Sequence, residues 1–335
     1  MNKGIYMKLF ISLIFVAVSL NSYALSAING QNMDVNDEGS FKAEFGIETA
    51  MVNGSSREYV YESQIKLSEL VWEIDDAIML GAVGSVQFNE KVGLNVGSWS
   101  MQDSSDGQME DSDWLDPYEQ VETHYSFHRT TLDKGNVFDI NAAYTFLTLT
   151  GEEVTSMNPN KTLDTKYSLQ GLIGYKKEEW KWTARGGYYV YGINSPYYST
   201  SFGMVDDVET IKYEHETSIP YFGACINLSG DEFGVNAFLI YSKWVEVEDE
   251  DLHLSRDIRY REHFNDGEFW GCGLNLKWNI TDRLMVLGSY NWEDVKKVYG
   301  ATEIYLDGDS ALIPWGAAFS QRKESIGVSL AYKFG

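Results

Sequence analysis

Apolar and polar positions alternate with a period of two along most of this chain. In 325–334, Ile326, Val328, Leu330, Tyr332 and Phe334 share one face, and Ser325, Gly327, Ser329, Ala331 and Lys333 share the other. In 270–280, Trp270, Cys272, Leu274, Leu276, Trp278 and Ile280 oppose Gly273, Asn275, Lys277 and Asn279. In 233–242, Phe233, Val235, Ala237, Leu239 and Tyr241 alternate with Gly234, Asn236, Phe238, Ile240 and Ser242. Period two is the signature of a strand, because successive side chains point to opposite faces. A soluble sandwich also alternates. The length of these segments and the aromatic-terminated last strand favour an all-β, transmembrane antiparallel barrel with apolar residues outward.

Ten strand regions are predicted: 41–53, 58–74, 91–101, 124–148, 165–192, 209–229, 232–249, 258–280, 283–299 and 322–335. An even count suits antiparallel closure, and several regions exceed the roughly 9–11 residues that cross lipid. The excess is expected to stand above the membrane as an extended extracellular rim. Short turns at Asp75-Asp76, Gly230-Asp231 and Thr281-Asp282 are placed on the periplasmic side. Extracellular loops then fall near 53–57, 102–123, 193–208, 249–260 and 300–321.

The first 24 residues read as an address. Lys3 and Lys8 precede an apolar run from Leu9 to Leu20, and Ser22-Tyr23-Ala24 offers small residues at a cleavage site. A signal peptide over 1–24 and one barrel domain over 25–335 are therefore expected.

Charge changes the picture next. The chain carries 26 Lys+Arg against 50 Asp+Glu, a net −24. Nucleic acid is excluded as a partner, since phosphate binding needs a basic footprint; cationic substrates are favoured. Cys225 and Cys272 are the only cysteines, and free thiols are expected. The acids concentrate in two places. Segment 102–123 holds Asp103, Asp106, Glu110, Asp111, Asp113, Asp116, Glu119 and Glu122 without a Lys or Arg. Segment 246–257 holds Glu246, Glu248, Asp249, Glu250, Asp251 and Asp257 against Arg256. A calcium loop fails here, because Asp116 stands where that pattern needs Gly; no metal is expected.

Spacing sharpens the chemistry. Asp111 and Asp113 are two apart, as are Asp249, Asp251 and His253, so each set shares a face of an extended segment. An Asp beside a His raises the imidazole's basicity, and two adjacent carboxylates share a proton. Such triplets are common in an acidic protein and are weak alone.

Taken with their surroundings, these residues resemble the omptin family of outer-membrane endopeptidases. Met109-Glu110-Asp111-Ser112-Asp113-Trp114-Leu115-Asp116 is similar to the family's M-x-D-x-D-W-M-D stretch. Ser242-Lys243-Trp244-Val245-Glu246, followed by Asp249, Asp251 and His253, is similar to its S-x-W-V-E…D-x-D-x-H stretch. Trp182-Thr183-Ala184-Arg185-Gly186-Gly187, Ser126-x-His128 and Gly54-x-x-x-Glu58 match further positions in order.

The resemblance implies a narrow ten-stranded barrel in the bacterial outer membrane, with its active site facing the exterior. It implies Asp251 and His253 as the dyad that activates water and Asp111 and Asp113 as the opposing couple, without a covalent intermediate. Glu58 and Asp249 are implied as the pocket for an Arg or Lys of a peptide or protein substrate. Ser126 and His128 are implied as neighbours of the site. His124, His215 and His263 are expected at the surface. No cofactor is implied, although family members bind lipopolysaccharide through an outward Tyr, Glu and Arg patch. Here Tyr175 is kept, Lys177 and Glu179 stand at the Glu and Arg positions, and Glu216 falls where a further Arg is expected. Glu122, His124 and Arg129 replace the family's Trp, Asp and Pro. A monomer is expected. The rival readings are a catalytically idle barrel serving as an adhesin, and a cation-selective pore.

Overall fold

The computed structural model describes residues 42–116, 118–155, 162–194, 198–230 and 232–334; the expected signal peptide lies outside them. The described chain is a ring of antiparallel strands: β1 (Lys42–Glu62), β2 (Ile65–Gln87), β3 (Val92–Met101), β4 (Ser105–Asp113), β5 (His124–Thr155), β6 (Thr162–Tyr191), β7 (Ser201–Ser229), β8 (Phe233–His253), β9 (Ile258–Asn279), β10 (Leu284–Leu306) and β11 (Asp309–Phe334). β1 pairs with both β2 and β11, so the sheet closes and leaves no edge. β3 and β4 both lie between β2 and β5, one behind the other. Eleven segments therefore occupy ten wall positions, as the alternation predicts.

The apolar faces point outward. Phe45, Ile47, Ile173, Ile226, Leu239, Leu276 and Leu330 are all exposed, forming a belt. Aromatic pairs mark its two margins, with Phe233 stacked on Trp278 at 5.8 Å on one side and Tyr241 against Trp270 at 4.5 Å on the other. Such girdles sit at membrane interfaces. Inside the belt the lumen is polar. Asn95 donates to Asn141 at 2.7 Å, Asn236 to Asn227 at 2.7 Å, and Asn275 to Asn236 at 2.8 Å. Apolar outside and polar inside is the inverse of a soluble core, and it is what lipid as solvent selects.

Above the belt the lumen is filled. Lys176, Glu178, Glu293 and Lys323 form a buried ionic plug. Over it, Trp72 stacks on Tyr213 at 5.0 Å, and Trp182 stacks on the same ring at 5.8 Å. Cys225 is buried and Cys272 is half-buried on the opposite face; both are free thiols.

The walls are more continuous than the sequence suggests, and five expected boundaries are corrected. Asp75-Asp76 is no turn. β2 runs through it, and the pairing slips by a bulge at Val52/Gly54, where Asp76 adopts φ 46° and exchanges two hydrogen bonds with the Asn53 side chain. Asp tolerates that left-handed conformation, so a bulge residue looks like a turn residue in sequence. The real reversal is at Ser63-Gln64, both left-handed, and the expected loop 53–57 belongs to β1. β4 occupies Ser105–Asp113 of the expected loop 102–123. β8 runs on to His253, and β10 and β11 meet at a tight Asp307-Gly308 turn in place of the loop 300–321.

Candidate active site

The site begins with a change of parity in β8. From Asn236 to Ser242 the even-numbered residues face the lumen; from Val245 to Asp251 the odd-numbered ones do. The switch is a bulge between Ser242 and Val245, where Lys243 and Trp244 are both exposed and the Trp244 amide donates to Ser242 Oγ at 3.0 Å. One extra residue flips every later side chain to the other face. It turns Asp249, Asp251 and His253 inward.

On the facing wall, β4 and β5 supply the second set. Asp111 lies opposite Ser126 in the ladder, Asp113 opposite His124, and Met109 opposite His128. The ladder therefore brings Asp111, Asp113, Ser126 and His128 to one face. Ser68 of β2 donates from its hydroxyl to Asp111 Oδ1 at 2.8 Å.

His253 Nε2 and Asp251 Oδ2 are 2.8 Å apart. A carboxylate only accepts, so Nε2 carries the proton and Nδ1 of the neutral ring is free to take one. Burial, then the Asp113 charge, pushes the Asp111 carboxyl up to about 7, against the lowering pull of Ser68 and His253. Asp113 is raised as well, first by burial, with Ser68, His124 and Arg256 opposing. Asp111 thus feels Asp251 and His253 across the lumen, and the two couples share one electrostatic neighbourhood.

His128 is held from behind. Gly186 and Gly187 adopt φ 57° and 103°, and a Cβ at Gly187 would lie 1.8 Å from the Phe127 carbonyl oxygen. Only glycine permits this close approach. It aims the Gly186 carbonyl at His128 Nδ1, 2.7 Å away. Nδ1 must then donate, which leaves Nε2 to accept from Ser126 Oγ at 3.3 Å. Burial, with His253 adding to it, lowers His128 below the ordinary histidine range.

Below the dyad lies a cluster of buried acids. Glu58 of β1 and Asp249 of β8 are both buried. Burial raises each well above the carboxylate range; Asp251, Glu262, Asp249 and Asp111 add to the rise at Glu58. Tyr213 donates to Asp249 Oδ2 at 3.1 Å.

All eight expected site residues therefore converge on one end of the lumen. Sequence reasoning missed Ser68, Tyr213 and Glu262. Glu262 was legible only through pairing, since it lies directly opposite Asp249 in the β8–β9 ladder. His215 corrects an expectation. It is buried, 2.8 Å from Ser56 Oγ, and burial lowers it to about 3. Its charged neighbours Glu214 and Glu216 alternate outward, which disguised an inward position. His263 is exposed, while His124 is partly covered by Tyr191 and Tyr198, whose rings meet it edge-on at 4.6 and 4.8 Å.

Comparison with known proteins agrees with this fold. Residues 41–334 match the model of the omptin family. A plasminogen activator of Yersinia pestis is 27% identical over 292 residues, 85% of this chain and 88% of that protein. The outer membrane protease OmpP of Escherichia coli strain K12 is 26% identical over 269 residues, 79% of this chain and 81% of that protein. The crystal structure of the outer membrane protease OmpT of Escherichia coli superimposes with a TM-score of 0.78 at 23% identity, covering 92% of this chain and 100% of that one. This chain belongs to the omptin family of outer-membrane proteases.

Proposed function

We propose that this protease hydrolyses peptide bonds beside Arg or Lys residues, with water activated between Asp251–His253 and Asp111–Asp113. The observation that carries the reading is the convergence of the two couples, each on its own wall, above a cluster of buried acids. His253 Nδ1 takes a proton from water as the water oxygen attacks the scissile carbonyl carbon. Asp251 holds the imidazole and stabilises the imidazolium that forms. Asp111, partly protonated near neutral pH, donates a hydrogen bond to the developing oxyanion. Collapse of the tetrahedral intermediate breaks the C–N bond, and the proton on His253 passes to the departing amine. Glu58 and Asp249 receive the basic side chain.

Lipopolysaccharide is not required in this reading. Lys177 pairs with Glu216 at 2.6 Å, Lys181 with Glu214 at 2.5 Å, and Lys134 with Glu179. The cations that would meet lipid phosphate on this outer face are already neutralised.

The test is cleavage of a quenched peptide containing Arg-Arg or Arg-Lys by refolded protein in detergent micelles, with and without lipopolysaccharide. Cleavage at equal rates in both is expected. His253→Ala should lower kcat by about 10²–10⁴-fold, the range of general acid–base catalysis. Absence of cleavage under both conditions would sink the proteolytic reading.

A further inference from the structure

Three carboxylates on three strands cluster beneath the dyad: Glu58 on β1, Asp249 on β8 and Glu262 on β9. All are buried. Asp249 and Glu262 are direct ladder partners, a placement that sets like charges against each other and is destabilising unless something relieves it. Each is pinned through one oxygen. Tyr213 donates to Asp249 Oδ2 at 3.1 Å, and Thr302 donates to Glu262 Oε1 at 2.8 Å. Asp249 Oδ1, Glu262 Oε2 and Glu58 Oε2 remain buried without a donor. No Lys or Arg forms an ion pair with these acids among the described residues. A fold rarely leaves buried acceptors bare, because each costs free energy. Here several bare acceptors, contributed by separate strands, point to a ligand that brings several donors.

We propose that Glu262 is a third specificity carboxylate of the pocket, and that its addition makes the pocket select arginine over lysine. This rests on the proteolytic reading above. A guanidinium presents five N–H donors in a flat fork and can serve oxygens that lie apart. A lysine ammonium has three donors at one point, and in this pocket it leaves acceptors unpaired. Burial raises Glu262 well above the carboxylate range, with Asp249 adding to the rise. An arriving cation therefore also drives off protons that the empty pocket retains.

The experiment compares two quenched peptides that differ only in Arg or Lys before the scissile bond. They are cut by wild-type protein, Glu262→Gln and Thr302→Val in the same micelles. The wild type should prefer Arg by about tenfold or more, the scale of leaving a buried acceptor unpaired. Glu262→Gln should cut kcat/KM for the Arg peptide about tenfold, mainly through KM, and lower the Lys peptide by a smaller factor, so that the Arg/Lys ratio falls. Thr302→Val should move the ratio the same way by a smaller factor. An unchanged Arg/Lys ratio in Glu262→Gln, or an equal loss on both peptides, would overturn the proposal. If the wild type cuts neither peptide, the proteolytic reading fails by itself. Calorimetric binding of arginine amide and lysine amide then reads the pocket without chemistry. A preference for arginine amide that Glu262→Gln abolishes upholds the role of Glu262, and equal binding of the two amides overturns it.

Discussion

Lys176, Glu178, Glu293 and Lys323 lie buried in the same lumen as Glu58, Asp249, Asp251 and Glu262, yet the two sets are built on opposite rules. The lower set balances two cations against two anions. Lys323 reaches Glu178 at 2.6 Å and Glu293 at 2.8 Å; Lys176 meets Glu178 at 3.2 Å and also pairs with Glu293. Both oxygens of both carboxylates are engaged. The upper set is acids alone, and each leaves an oxygen buried and bare. A closed ionic cluster holds the walls together. In the proposed reading, the unbalanced one is kept by the surrounding strands for the basic side chain of a substrate. The difference separates structure from function more sharply than charge density does.

The largest effect is expected from removing the bulge that turns Asp249 and Asp251 of the upper set inward. Deleting Lys243 takes one residue from the β8 bulge and returns Asp249, Asp251 and His253 to the outer face. The barrel, closed through its other ladders, should still form and shift its mobility on heating in detergent gels. Proteolysis should vanish. Activity in a folded deletion variant would show that the bulge does not set the facing of the dyad.

Next in size is a pair of substitutions with opposite signs. Lys176→Met strands Glu293 Oε1, and breaking a buried pair from one side costs about 3–5 kcal/mol. Glu58→Gln removes one of several mutually repelling buried acids and should gain about 1 kcal/mol while weakening peptide binding. Thermal unfolding followed by loss of β circular dichroism reads both. A destabilised Glu58→Gln would show that the upper acids stabilise the fold and would end the contrast.

A pH series sharpens the same point. Asp111 sits at about 7 in the folded protein against 3.8 as a free group. Its raised value means that the fold holds a proton that the unfolded chain has lost. The stabilisation from this group is therefore complete below about pH 4 and is lost as pH rises through about 7, at no more than about 1.4 kcal/mol per pH unit. Glu58, Asp249 and Glu262 are raised too and act in the same direction; His215 and His128, which burial lowers, act in the opposite direction below about pH 6.5 but are outnumbered. Wild-type protein should become less stable from pH 5 to 8, and Asp111→Asn should flatten that descent. A rising stability over this range would contradict the assignment.

Much of this was legible in the chain, because lipid and lumen impose opposite demands on alternate residues. The run Ile326 to Phe334 shows its outward face directly, and the D-x-D and D-x-H triplets place their members together on any extended segment. Registers were not legible. The bulge at Lys243-Trp244 leaves no mark in composition, although it decides whether Asp251 faces in or out. Above the belt both faces of the wall are polar, so alternation loses its contrast. Glu262 in Arg261-Glu262-His263 and His215 between Glu214 and Glu216 then look like solvated positions. Their burial follows from pairing across strands, Glu262 with Asp249 and His215 with the same Asp249 from the other side.

The smallest expected effect lies at Ser68, which lines the site without belonging to either ionic cluster. Its hydroxyl donates to Asp111 Oδ1 at 2.8 Å and pulls both Asp111 and Asp113 down against burial. A donor to a carboxylate stabilises the charged form, so its loss moves the pKa up. Ser68→Ala should therefore shift the inflection that Asp111 gives to the pH profile of kcat/KM upward from about 7, by about one pH unit or less, with a change of only a few-fold at the plateau. Were Ser68 merely packing beneath the site, the plateau would fall and the inflection would stay in place. The two outcomes move different features of one curve, so a single titration of rate against pH separates a residue that tunes the acid from one that only supports it.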